Sequence, residues 1–479
     1  MAHAGMNAFF PATSLFWLWS KEEGALLLER VYGHNAQPDV VTLIEVFAMA
    51  ATGARFPSEH FPPDIAQTFY ALARRDLDQC VRLEPLRAMR IDICLALFSL
   101  CNKSMHARLG VEAALQIARW KLLPRNISSW APHDDWAKVF RSLVFVECWL
   151  SSSLGCPSDL TPEEMEYRRA AEGEDPTSLD ELIYAQTSQT EFMASGIARE
   201  AERMAKSTGH YAMESTNEFV FHCMAALAAW HQNLPPAMRL AHIISDESSI
   251  LTKAQRTRLF MVHMTYLDTI ILLYRHLMAA VARRRLRAAQ PSETYSPRVR
   301  IREDDFTSAA RHLARFASLL GASDIVPRRC WLVIYKTFSA CTVFVFTAAQ
   351  KLLYNAPSGV EADLALAGSC IATLERCSTA ERVACEFLGA LKPAYETLSE
   401  LFESARSQPP PPPGKSGPGT LREEVVPIAE ALCDLLEDPF GRRQKGAKQA
   451  QQAPQVQTGP SADGAEGRPA VRDLSRAGV

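Results

Sequence analysis

The chain has 479 residues, 48% hydrophobic and 22% charged, with 51 basic against 54 acidic side chains and a net charge of -3. That length exceeds what one hydrophobic core usually serves, so a large helical array or two packed helical sub-domains is expected. The balanced charge excludes a body built for strong sequence-independent DNA binding, which needs a basic excess.

Residues 1–20 are apolar in patches (Phe9, Phe10, Leu15, Phe16, Trp17, Leu18, Trp19) but carry no basic leader and run into Lys21, Glu22 and Glu23. That pattern argues against a signal peptide. Helical periodicity then dominates and predicts an all-α fold. Helices are expected at Val40–Ala54, Pro63–Arg82, Leu86–Cys101, Ala107–Lys121, Asp135–Leu154, Leu179–Thr208 and Glu214–Asn233. They continue at Lys253–Arg287, Glu303–Leu320, Val326–Tyr354, Val360–Cys377 and Ala380–Ser404. Thr161-Pro162-Glu163-Glu164 reads as a capped helix start. Asp268, Arg275 and Lys336 interrupt the most apolar runs, so no membrane span is expected and the chain reads as soluble and intracellular.

The twelve cysteines include no Cys-x-x-Cys pair, and most lie in apolar helical runs; Cys370 and Cys377 share a face one heptad apart. Core packing in a reducing compartment accounts for them better than a zinc site does. Residues 158–180 form a polar connector between an N-terminal helical part, 1–157, and a C-terminal helical part, 181–405. From 406 to 479 the chain is rich in Pro, Gly and Gln and is expected to be a disordered tail, because such composition cannot bury enough apolar area to offset its ordering cost.

Several motifs recur in a recognisable order. A helix ends in Gly53-Ala54-Arg55, and a second carries Gly110 ahead of Ala114 and Ala118. An aromatic helix from Trp136 to Leu154 runs into Gly155-Cys156-Pro157. Trp230 precedes a Leu234-Pro235-Pro236 corner, and the next long helix holds Tyr266 centrally and Leu273-Tyr274-Arg275 near its end. Cys370 through Leu374, then Val383, Ala384, Phe387 and Leu388, close the series. Together these motifs, over about residues 40 to 400, resemble the regulatory (middle homology) domain of fungal-specific transcription factors. Glu147 stands where that family usually has Asp, and Cys156 replaces the Arg of its Gly-Arg-Pro turn. The resemblance implies a nuclear transcriptional regulator, often of metabolic or secondary-metabolite genes. Its signature positions would be Gly155, Pro157, Trp230, Leu234, Pro235, Tyr266 and Arg275, read as fold determinants. Family members usually carry a six-cysteine binuclear zinc cluster that sets a helix in the major groove, and that cysteine spacing occurs nowhere in these 479 residues. DNA would then be reached through a homo- or heterodimer partner, with other transcription proteins or coactivators as further partners.

Two further segments invite a function. Arg283, Arg284, Arg285 and Arg287, followed by Arg298, Arg300 and Arg302, read either as a nuclear-import signal or as a solvated helix end; Arg442-Arg443-Gln444-Lys445 is a second basic candidate. Residues 421–440 mix acids with Ile428, Leu432, Leu435, Leu436 and Phe440, which can share one helical face. This is an activation segment, or a helix folding back on the body. Enzyme and cofactor motifs are missing from the sequence: it has no His-Glu-x-x-His, Gly-x-Ser-x-Gly or Gly-x-Gly-x-x-Gly. His133-Asp134-Asp135 reads as a capping loop rather than a metal or acid–base site. The expectation is therefore a non-enzymatic, metal-free regulator, with a helical protein-interaction scaffold as the alternative.

Overall fold

Local chemistry sets where the first helices begin. Glu23 N–H donates to Ser20 Oγ at 3.0 Å and Ser20 N–H donates to Glu23 Oε2 at 2.6 Å, a reciprocal capping box that opens α2 (Lys21–Tyr32). Asp39 Oδ1 accepts from Thr42 N–H at 2.8 Å and opens α3 (Val40–Gly53), and α1 (Ala2–Ala12) packs across α3. A computed structural model describes residues 1–439 apart from 14–15, 35, 56–60, 63, 102–105, 122–134, 155–157, 162–163, 165–177, 207–211, 242–250, 288–296, 323–329, 355, 357, 380 and 408–418. The N-terminal part continues with α4 (Ile65–Arg75), α5 (Leu77–Leu83), α6 (Pro85–Cys101), α7 (His106–Lys121) and α8 (Asp135–Leu154). Then follow α9 (Leu179–Lys206), α10 (Ala212–Gln232), α11 (Lys253–Arg287) and α12 (Pro297–Ala322). The last four are α13 (Trp331–Leu353), α14 (Val360–Ser378), α15 (Arg382–Ser407) and α16 (Gly419–Glu437). Among the described residues the fold is all-α, with no strand.

In the N-terminal part α3 is the hub, touching α1, α2, α4, α5 and α6, while α6 packs on α7. Helices α1 and α3 cross at two glycines. A Cβ added to Gly53 would collide with the Gly5 carbonyl, and one added to Gly5 would lie 2.9 Å from the Ala50 oxygen. Only glycine allows backbones so close. In the C-terminal part α13 is the core helix, surrounded by α11, α12, α14, α15 and α16. Among the described residues it is the one helix long and apolar enough to cross a membrane, yet 94% of its most apolar stretch is buried inside the protein. Cys370 and Cys377 of α14 are both buried, as their shared face predicts.

Three points sharpen the expected framework. First, Met1–Pro439 forms one compact unit, and α8 packs on α9 across the 158–180 connector. Trp149 of α8 meets Trp331 edge to face at 3.9 Å, and Arg55 pairs with Glu381 at 3.1 Å, tying N-terminal to C-terminal helices. The described end of the connector is pinned too: the buried Glu147 accepts from Asp159 N–H at 2.9 Å and Ser158 Oγ at 3.0 Å. Second, the helix expected over Pro63–Arg82 breaks at Asp76, whose φ of -114° and ψ of 15° leave the helical region. Third, residues 419–437, which include most of the amphipathic segment read as either an activation motif or a helix folding back, form α16 on the body, because a continuous apolar face finds cover there. Helices α1 and α2 lie where none was expected. Thr161 and Glu164 do form the expected cap, Thr161 N–H donating to Glu164 Oε2 at 2.7 Å and Glu164 N–H to Thr161 Oγ1 at 3.3 Å.

Candidate functional site

The corner after α10 folds back on the helix that follows it. Leu234 and Met238 sink into the core, with one 3-10 turn at Pro236–Met238 between α10 and α11, while Pro235 stays half-buried. Trp230 Nε1–H donates to Gln186 Oε1 of α9 at 2.9 Å, and its ring sits 5.7 Å from Tyr266 of α11. His231 stacks on the same ring, 4.6 Å from Tyr266. His263, nearly a turn before Tyr266, donates from Nε2 to the Met238 carbonyl at 2.8 Å, which fixes its tautomer. Burial lowers the pKa of both His231 and His263, because lost solvation disfavours the charged imidazolium.

Trp230 and Tyr266 thus meet, with Leu234 buried and Pro235 half-buried in the corner just after Trp230, and Arg275 lies elsewhere. Nine residues separate Tyr266 from Arg275, about 900° of rotation at 100° per residue, so the two point to opposite sides of α11. Arg275 faces α13 and donates from Nη1 to Tyr335 Oη at 3.5 Å.

That opposite side carries a buried polar seam. Lys336 Nζ of α13 donates to Asp268 Oδ2 of α11 at 3.3 Å, each side chain 3% exposed or less. Glu191 of α9 is fully buried and feels both of them. Loss of solvent pushes its pKa up to about 7; Lys336 opposes, Asp268 reinforces, and a Thr265 hydrogen bond opposes. Burial likewise pushes Tyr335 up to about 12. Glu191 Oε1 and Asp268 Oδ1 lack hydrogen-bond partners among the described residues. The seam therefore holds charge in a buried interior, and Glu191 can keep or release one proton near neutral pH. Sequence reading caught Asp268 and Lys336 only as interruptions of apolar runs and missed Glu191 entirely. A lone acid on a small-residue face of α9, among Thr187, Ser188, Ala194 and Ser195, was the available signal.

The other candidate residues scatter. The basic run ends α11: Arg284 and Arg287 are exposed, Arg285 lies 5.6 Å over the Tyr354 ring, and Arg283 is drawn into ion pairs with α16. In α16, Leu432 and Leu436 are buried, while Ile428 and Leu435 are half-buried. The apolar face read as an activation segment is therefore covered by the body. Gly155, Pro157, Phe440, His133, Asp134, residues 442–445 and the side chains of Arg298, Arg300 and Arg302 lie outside the described residues. Asp135 opens α8 and pairs with Arg90 at 3.4 Å. Among the described residues no group of three or more His, Cys, Asp or Glu side chains is placed to hold a metal ion. No protein-family model, curated protein or solved structure matches the chain.

Proposed function

We propose that the chain is the body of a transcriptional regulator of the kind its motifs resemble, acting in the nucleus on a metabolic or secondary-metabolite gene set. The observation that supports this reading is the Trp230 ring packed by Tyr266, with Leu234 buried in the corner that follows, the pairing from which the resemblance starts. In this reading the helical body relays a signal through packing. DNA contact comes from a dimer partner, and coactivators or other transcription proteins complete the complex. A helical interaction scaffold is the second reading, favoured by the seating of α16 between α11 and α13.

The test is to tag the full chain, measure its nuclear fraction, and profile transcripts after deleting its gene. Nuclear enrichment with a coherent set of changed transcripts is expected. A chain outside the nucleus whose loss leaves transcripts unchanged would overturn the regulator in favour of the scaffold.

A further inference from the structure

Helix α16 is joined to the body differently from its neighbours. The eleven residues before it, 408–418, include six prolines and two glycines. Proline cannot continue α15 as a helix, so the covalent link does not dictate where α16 docks. At about 3.3–3.6 Å per residue, eleven residues span at most about 36–40 Å. What positions α16 is its own surface. Val425, Ala429, Leu432, Cys433 and Leu436 recur at helical spacing along one face, each 3% exposed or less, against α11 and α13. Glu423, Glu424, Glu430 and Asp434 face outward. At the end of the helix Arg283 of α11 donates from Nη2 to Asp434 Oδ1 at 2.5 Å and from Nη1 to Glu437.

We propose that α11 and α13 form a binding groove for an acidic amphipathic helix, and that residues 419–437 are its occupant, held in cis. The groove reads two features together: an apolar stripe, and an acid pair three residues apart that meets one guanidinium. Such a pair gives register as well as attraction, because both acids reach Arg283 only when the stripe is seated. Departure of the helix would uncover its apolar face and free Arg283 to join the exposed Arg284 and Arg287. This assignment stands whether or not the protein regulates transcription.

The test uses the full chain with a site-specific protease sequence in place of residues 409–413. After cleavage, a fluorescein-labelled peptide of residues 419–439 is titrated in and followed by anisotropy. Saturable binding is expected in the cleaved protein and much weaker binding in the uncut one, where the tethered copy competes at an effective concentration of about millimolar. Arg283→Glu should weaken the peptide on the order of tenfold. A peptide carrying Asp434→Arg and Glu437→Arg should recover binding to that variant. Peptide affinity indifferent to Arg283→Glu would overturn the proposal, as would a released fragment that never exchanges. A cleaved body that loses its helical circular dichroism with the fragment would make α16 fixed core instead. A dimer with exchanged helices, seen by light scattering, would overturn the cis occupancy.

Discussion

Replacing Glu191 with Gln should flatten part of the pH dependence of stability and raise stability at alkaline pH. The carboxyl lies buried between α9 and the Asp268–Lys336 pair, and its pKa rises from 4.5 to about 7, chiefly through lost solvation. The folded state therefore keeps this proton until about pH 7, whereas the unfolded chain releases it near 4.5. Stability from this group is full below pH 4.5 and is lost as pH rises through about 7. At about 1.4 kcal/mol per pH unit, the gap amounts to about 3 kcal/mol. Gln cannot ionise and leaves the Lys336–Asp268 pair intact. Guanidinium unfolding of both proteins at pH 5, 6, 7 and 8 reads the difference, provided the slope m is unchanged. Near-equality at pH 5 and a variant more stable by up to about 3 kcal/mol at pH 8 are expected. Asp92, also pushed to about 7 by burial, titrates in the same window but cancels in the comparison. Parallel stability curves, or a variant less stable at pH 8, would refute the assignment of that proton to Glu191.

Three further outcomes follow from the packing. Lys336→Met should cost about 3–5 kcal/mol by stranding Asp268, and adding Asp268→Asn should restore much of it; two independent, additive losses would contradict a buried pair. Gly53→Ala should cost about 1–3 kcal/mol or more by forcing α1 off α3. Hydrogen exchange should show protection lost in α1 first, and intact protection there would argue against the close crossing. Trp230→Phe should cost about 1 kcal/mol, the value of the indole hydrogen bond to Gln186, and Trp230→Ala about 3–5 kcal/mol. A Trp230→Phe variant as stable as the parent in denaturant unfolding would mean that Gln186 contributes nothing.

Much of the helical framework was legible because burial repeats every three to four residues. Leu179–Lys206 and Lys253–Arg287 begin at the expected residues, since each carries an apolar stripe long enough to announce itself. The helix at Ala2–Ala12 went unread. Its eleven residues are apolar almost throughout, and its contact with α3 depends on Gly5 meeting Gly53, a pairing across 48 positions that no local pattern encodes. The cluster at Trp230 was half legible. Its Pro-Pro stop is local chemistry, whereas the hydrogen bond to Gln186, 44 residues away, is not. The acidic stripe of α16 was visible as a pattern, but the pattern is the same for a free recruiting helix and for one lying in its own groove.

Residue order alone therefore established an all-helical chain with a balanced charge and a proline-rich break beyond Arg406. These are properties of hydrophobic spacing and backbone chemistry, which act within a few residues. Tertiary structure decided the rest: that Met1–Pro439 is one body, that Glu191, Asp268 and Lys336 from three helices share a buried interior, and that Arg283 holds Asp434 and Glu437. Each depends on which helix faces meet. Coulomb and desolvation energies are set by distance and burial in space, and neither is written in separation along the chain.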